Sequence, residues 1–249
     1  MSTLALSCLI FVLTLGGILL GALLRRVLPE HHLSKNSQDV VWISVGVIAT
    51  IAALVLGLLI AAAKTSFDTQ STQITQITAD IILLDNLLAE YGPEARPIRE
   101  QIRSLIGPLA DRLWREKQVS TAAPFELSSS GEKAYLAIQA LSPQNDLQRS
   151  LQSRAAQVST DLVQTRLTLF AESGKVIPTP FLVILVLWIV IIIASFSLFS
   201  DLNVTVFICL SLFALSASCA IFLILELSKP FSGLMMISSE PLRHALAPL

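Results

Sequence analysis

The sequence predicts an all-α integral membrane protein: four spanning helices with a helical extramembrane insert between spans two and three. Three observations carry this. Hydrophobic residues make up 53% of the 249 and charged residues 14%, against about 25% charged in an ordinary soluble domain. Of the 17 Lys and Arg and 18 Asp and Glu side chains, 25 lie between Lys64 and Lys175. The rest of the chain holds four uncharged apolar stretches near the roughly 20 residues that a helix needs to cross hydrocarbon.

The first stretch, Leu4 to Leu24, stops at Arg25 and Arg26. Its apolar run is longer than the roughly 7–15 residues of a signal-peptide core and no basic residue precedes it, so a retained anchor is expected. The second, Val40 to Ala63, stops at Lys64. The third, Phe181 to Phe199, follows Pro178 and Pro180, which suit a helix start because proline lacks the amide hydrogen that would go unpaired there. The fourth, Val204 to Leu225, is closed by "ELSKP". Only "SDLN" joins the last two, which makes them an antiparallel hairpin. The expected organisation is a hairpin over 1–64, an insert over 65–176, a second hairpin over 177–227 and a tail over 228–249.

Four spans put the insert and both termini on one side. Arg25, Arg26 and Lys35 crowd the loop between spans one and two, and the positive-inside tendency assigns that loop to the cytoplasm and the insert to the outside. Lys64, Lys175, Lys229 and Arg243 flank the spans at the other end.

The insert is helical by pattern. Ile74, Ile77, Ile81, Leu84, Leu88 and Tyr91 recur at spacings of 3 and 4, a narrow stripe of coiled-coil type opposite a Thr, Gln and Asp face. Ile98, Ile102, Leu105, Leu109 and Leu113 repeat the spacing, and Leu147, Leu151, Val158, Leu162 and Leu169 form a third set. The stretch "VSTAAPFELSSSG" reads as a loop. About three helices, bundled, are therefore expected. At Tyr91-Gly92-Pro93-Glu94 the first helix is expected to end and the second to begin. Glycine takes left-handed backbone, proline starts a helix, and the Glu94 carboxylate favours the positive end of the new helix dipole. In the tail, Pro230 and Gly233 break the helix, and Ser238 or Ser239 before Pro241 caps a short amphipathic helix through Leu246. Such a helix lies on the membrane or docks on the insert, and docking would tie it to the corner.

Small residues recur every fourth position at Ala49, Ala53, Gly57 and Ala61, and again at Gly17 and Gly21. They allow close helix approach, within one subunit or between subunits. Hydroxyls at Thr205, Ser211, Ser216, Ser218, Ser195 and Ser197 either line a polar path or bond back to helix carbonyls. Glu226 is the one carboxylate continuous with a span; it is expected at the boundary, where it can reach water or pair with Lys229 one turn on, and a gating or ion-site role, the default for a membrane carboxylate, is the alternative. Asp80, Asp85, Glu90 and Glu94 stand near Arg96, Arg99 and Arg103, which points to ion pairs across the corner. No nucleophile, metal-ligand cluster or phosphate loop accompanies them, so no enzyme, metal or cofactor is predicted. Cys8, Cys209 and Cys219 fall in apolar runs without CxxC spacing and read as small hydrophobes. A net charge of −1 without a basic run gives no footprint for nucleic acid.

Three stretches together carry a resemblance: "LLDNLLAEYGPEARPIR", "GKVIPTPFLVILVLWIVIIIASFSLF" and "LILELSKPFSGLMMISSEPLRHAL". They resemble a bacterial family of four-span membrane proteins labelled bestrophin-like, over nearly the whole chain. The resemblance implies the inner membrane and, through the label, a homo-oligomer whose helices surround an anion-conducting pore, with the lipid bilayer and inorganic ions as partners. Bestrophin channels have apolar aromatic constrictions, whereas Trp42 is the sole aromatic of span two, so no pore residue is carried over. A non-conducting scaffold or sensor, binding a partner through the insert, is the other expectation.

Overall fold

The computed structural model describes residues 3–29, 34–115, 133–173, 179–201 and 203–245. All regular structure among them is helical: α1 (Thr3–Val27), α2 (Lys35–Tyr91), a 3-10 turn (Pro93–Ala95), α3 (Arg96–Arg115), α4 (133–139), α5 (Asp146–Ser173), α6 (Thr179–Phe199), α7 (Val204–Leu227) and α8 (Glu240–His244). The "VSTAAPFELSSSG" stretch lies outside the described residues. Four helices, α1, α2, α6 and α7, are long and apolar enough to cross a membrane. No helix boundary falls at Lys64; α2 runs unbroken for 57 residues.

The chain divides into two compact units, Met1–Ser66 with Ile177–Lys229 and Phe67–Val176 with Pro230–Leu249. In the first, α1 packs along both α6 and α7. Gly17 and Gly21 make the α6 contact: a β-carbon on Gly17 would stand 3.2 Å from the Val190 carbonyl oxygen, and one on Gly21 would overlap the Ala194 carbonyl oxygen. Ser197 Oγ of α6 donates to the Ile18 carbonyl (2.7 Å) and Ser218 Oγ of α7 to the Ser7 carbonyl (2.7 Å). Hydrocarbon offers helices no hydrophobic reason to associate, so these close approaches and hydroxyl–carbonyl bonds hold the unit together. At one end Arg25 reaches the α6–α7 loop, donating to the Ser200 carbonyl and to Asp201 Oδ1, the latter at 2.6 Å. Trp42 of α2 meets Phe196 of α6 edge-on at 4.7 Å between centroids.

The second unit has two apolar clusters. One gathers Leu84, Leu88, Tyr91, Ala95, Ile98, Ile102, Ile138, Leu151, Ala155 and Val158. The other gathers Ile74, Ile77, Ile81, Ile106, Leu109, Ala110, Leu169 and Leu242. The α2 stripe is buried as its spacing predicts. On α3 the inward position is Ile106, with Leu105 only half-buried, because at about 100° per residue the fourth residue after Ile102 returns nearer to its face than the third. Leu147 was expected in the core and is 60% exposed. It sits in the first turn of α5, ahead of where Leu151 begins the packed face.

Candidate functional site

Two constellations bring together residues singled out from the sequence. The first is the corner between α2 and α3. Gly92 has φ +130 and ψ −176, so it is not in the left-handed helical region expected of it but in an extended positive-φ region open to glycine alone. A β-carbon there would also lie 2.8 Å from Glu94 Oε2. Pro93 opens the 3-10 turn, with Glu94 in its first turn, and the Ala95 amide closes back on the Gly92 carbonyl (3.2 Å).

Across this corner Asp85 of α2 receives two bonds from Arg99 of α3, at 2.9 and 2.8 Å, and one from Arg103 at 3.2 Å. The Arg99 guanidinium, with help from Arg103, holds the Asp85 carboxyl below its ordinary range despite burial, and Asp85 in turn raises the Arg99 guanidinium. Arg96 pairs instead with Glu100 one turn along α3, exposed. Arg96, Arg99 and Arg103 share one face, which with Ala89, Gly92, Pro93 and Glu100 lines an open concavity of about 440 Å³. The Tyr91 ring is buried beneath; burial, then the nearby Glu94 charge, pushes its phenol above the ordinary value. The arrangement offers guanidinium donors and a polar hollow. Among the described residues no three His, Cys, Asp or Glu side chains gather to hold a metal ion.

The second constellation is the end of α7. Glu226 was expected at a water-facing boundary but is 1% exposed. Its Oε2 accepts from Thr3 Oγ1 of α1 at 2.9 Å, so the carboxylate lies against the N-terminal turn of α1, where the helix dipole favours negative charge. Lys229 meets Glu226 through the backbone, its amide donating to the Glu226 carbonyl (3.0 Å), and its side chain is exposed. Pro230 accepts from the Ile237 amide (2.8 Å), and Gly233 takes φ +114 between them.

The tail docks on the insert but not on the corner. Leu242 joins the Ile74–Ile81 and Ile106–Ala110 cluster, whereas Tyr91, Ala95 and Ile98 belong to the other. Trp114 Nε1 donates to the Ile237 carbonyl (2.7 Å), the Trp114 and Phe231 rings meet edge-on at 5.5 Å, and Arg243 pairs with Asp111 at 2.6 Å.

The small residues divide. Gly17 and Gly21 face α6, while Ala53, Gly57 and Ala61 are exposed and a β-carbon on Gly57 would meet nothing within 4 Å; Ala49 is half-buried. The hydroxyls of Ser195, Ser197 and Ser218 bond to carbonyls, the first on its own helix and the others on α1.

Several structural residues escaped the sequence reading. Gln148 donates to the Tyr91 carbonyl (3.0 Å), closing the C-terminus of α2, and Gln152 donates to the carbonyls of Ile138 and Leu141 at the end of α4. Nothing in a glutamine's spacing identifies a capping role at a distant helix end. Asp80, which the sequence groups with the acidic residues at the corner, is buried, held by Gln76 Nε2 (2.8 Å) and raised above its ordinary value by burial and by Asp161. Arg166 of α5 is buried too, and burial lowers its guanidinium.

The fold and composition thus define a class: an all-helical, four-span membrane protein with a helical unit outside the spans. The Bestrophin-like domain model matches residues 11–242, and the chain belongs to the Bestrophin-like family. The crystal structure of a point mutant of a bacterial bestrophin homologue from Klebsiella pneumoniae is similar at TM-score 0.65 and 13% identity, over 95% of this chain and 94% of that one, a likeness of fold. No curated protein matches the sequence.

Proposed function

We propose that the protein is an oligomeric ion-conducting or ion-sensing membrane protein, with α2 and α7 nearest the ion path. The observation that carries this is the bareness of α2. Only 17% of its most apolar window is buried, against 33% for α1 and 28% each for α6 and α7. The bare side includes the Ala53–Gly57–Ala61 ridge, shaped for close approach by another helix. A span exposed on most of its circumference, with small residues on that exposure, suits lateral association of identical subunits around an axis. Membership of the Bestrophin-like family supports the same reading.

The direct test is flux through the purified protein in liposomes under chloride and potassium gradients, with empty liposomes as control. Selective flux that Gly57→Trp abolishes supports the proposal. Silence across voltage, pH and calcium overturns it and favours the second reading, a scaffold or sensor whose insert takes a partner at the arginine-lined hollow of the corner. Glu226→Gln belongs to the same series. With the carboxylate buried against α1, it is expected to weaken that contact rather than to alter ion selectivity.

The working address is the bacterial inner membrane, with the insert and termini extracytoplasmic on the strength of Arg25, Arg26 and Lys35. A membrane-impermeant thiol reagent applied to cells carrying Ser142→Cys tests this: labelling in intact cells supports it, and labelling only after lysis reverses the orientation.

A further inference from the structure

We propose that the hairpin at Phe231–Met236 is a lipid-binding loop, with Leu234, Met235 and Met236 seated in the headgroup region of the leaflet next to the end of α7. The inference does not depend on conduction.

The chain itself limits where this loop can be. α7 is apolar to Leu225 and ends with Glu226, buried against α1, and Leu227; Pro230 follows after Ser228 and Lys229. Three peptide units extend at most about 11 Å. The polar layer on each side of the hydrocarbon is about 6 Å deep. The stem of the hairpin, where the Ile237 amide bonds to the Pro230 carbonyl, therefore starts within or just beyond that layer. Lys229 between span and stem is exposed, with an aliphatic stem and a charged head suited to the same depth.

The hairpin is built to present its tip. Its base is fixed by the Trp114 bond to the Ile237 carbonyl and by the edge-on Trp114–Phe231 contact. Gly233, at φ +114, turns the chain. Beyond that turn Leu234, Met235 and Met236 are 75%, 44% and 60% exposed. The other exposed large apolar side chains described in this unit are Ile82, Leu83, Leu136, Leu147 and Leu167, single or at most paired. The tip is thus its longest such run, and a contiguous exposed apolar patch marks an interaction site. Methionine is unbranched and polarisable, and adapts to a fluid, irregular neighbour better than to one fixed shape. No acidic residue interrupts Lys229 to Ser239, so the tip carries no charge that anionic headgroups would repel.

The test uses the full chain in lipid nanodiscs, with Cys8, Cys209 and Cys219 replaced by alanine. An environment-sensitive fluorophore is attached at Met235→Cys, or at Leu147→Cys as an exposed apolar control. Blue-shifted emission at position 235, quenched by lipids spin-labelled near the headgroup, with little quenching at 147, is the expected result. Water-like emission at 235 overturns the proposal. So does a blue shift without lipid quenching, which would mean that protein covers the tip, and so does equal quenching at both positions. The unmodified protein offers a second measurement: a water-soluble peroxide should oxidise Met235 and Met236 more slowly in nanodiscs than in a free peptide of the same sequence, and equal rates overturn the proposal.

Discussion

The two halves of α2 obey one pattern under two solvents. In the membrane half the buried positions are Val45, Ala52, Leu59 and Ala63; in the insert the stripe of Gln70, Ile74, Ile77, Ile81, Leu84, Leu88 and Tyr91 is buried, with Thr78, Asp80 and Asp85 beside it. The first set steps by 7, 7 and 4 and the second by 3 and 4, both multiples of one near-3.5 repeat within one unbroken helix. The opposite faces differ, with Ile82 and Leu83 the exposed large apolar residues of the second half. Ile43, Val47, Ile51, Leu54 and Leu58 are exposed in the first half, whereas Asp68, Thr72 and Thr75 are exposed in the second. Surroundings therefore decide what the bare face is made of, and also what holds each unit together. Hydrocarbon leaves close backbone approach and hydroxyl–carbonyl bonds as the adhesive, while water makes apolar burial the main force.

The largest effect that would break this comparison is expected at Gly21. A leucine there must displace the Ala194 backbone and Ser197, so α1 and α6 are pushed apart. The expected loss is about 3 kcal/mol or more, by the logic of overpacking, read as a fall in the unfolding midpoint of the purified protein. Gly57→Leu meets nothing within 4 Å and should leave the protomer within about 0.5 kcal/mol of the parent. Any change it makes should be in subunit number, measured by light scattering. Equal loss of protomer stability from both variants would mean that close approach is not what binds the membrane unit.

In the insert the counterpart is Leu242, fully buried among Ile74, Ile77, Ile81 and Leu109. Leu242→Ala should cost about 2–3 kcal/mol through lost transfer energy and the cavity left behind. Ending the chain at Lys229 should cost more, since it also removes the Trp114 bond and the Arg243–Asp111 pair. A truncated protein as stable as the full chain would mean that the tail rests on the insert without supporting it.

Much of this was legible in the sequence because it repeats. The spans follow from length and hydropathy, and the α2 stripe from its spacing. The glycine–proline corner is equally plain: its positive φ was foreseeable, although the region of backbone Gly92 occupies was not. What could not be read was set by single partners distant in the chain. Glu226 is 223 residues from Thr3, and no spacing announces that bond. The tail's docking site is hidden for a similar reason. Leu242 has the same apolar chemistry whether it meets Tyr91 or Ile77, and the shape of the hairpin before it makes the choice. The same blindness covers glutamines, whose roles at Gln148 and Gln152 depend on which carbonyls a fold leaves unpaired.

The finest contrast lies between two aspartates five residues apart on α2, similarly buried at 7% and 6% exposure. Asp85 accepts from Arg99 and Arg103, and its folded pKa falls below the ordinary 3.8. Its contribution is thus present above that value and lost as pH falls through the lower folded pKa. Asp80 has one donor, Gln76, with Asp161 facing it, and its folded pKa rises above 3.8. Ionised Asp80 therefore opposes folding; the penalty is absent below 3.8, grows as pH rises through the folded pKa and is complete above it. At neutral pH, Asp85→Asn should destabilise by about 1–2 kcal/mol, less than for a fully buried pair because Arg99 and Arg103 keep some water. Asp80→Asn should instead stabilise by up to about 1 kcal/mol, since it removes the poorly compensated charge and keeps an oxygen for Gln76. Denaturant titrations of both variants at neutral and acid pH would show the two shifts with opposite sign, both fading as pH falls. Shifts of the same sign would mean that burial alone, and not the partner across the helix interface, governs these carboxylates.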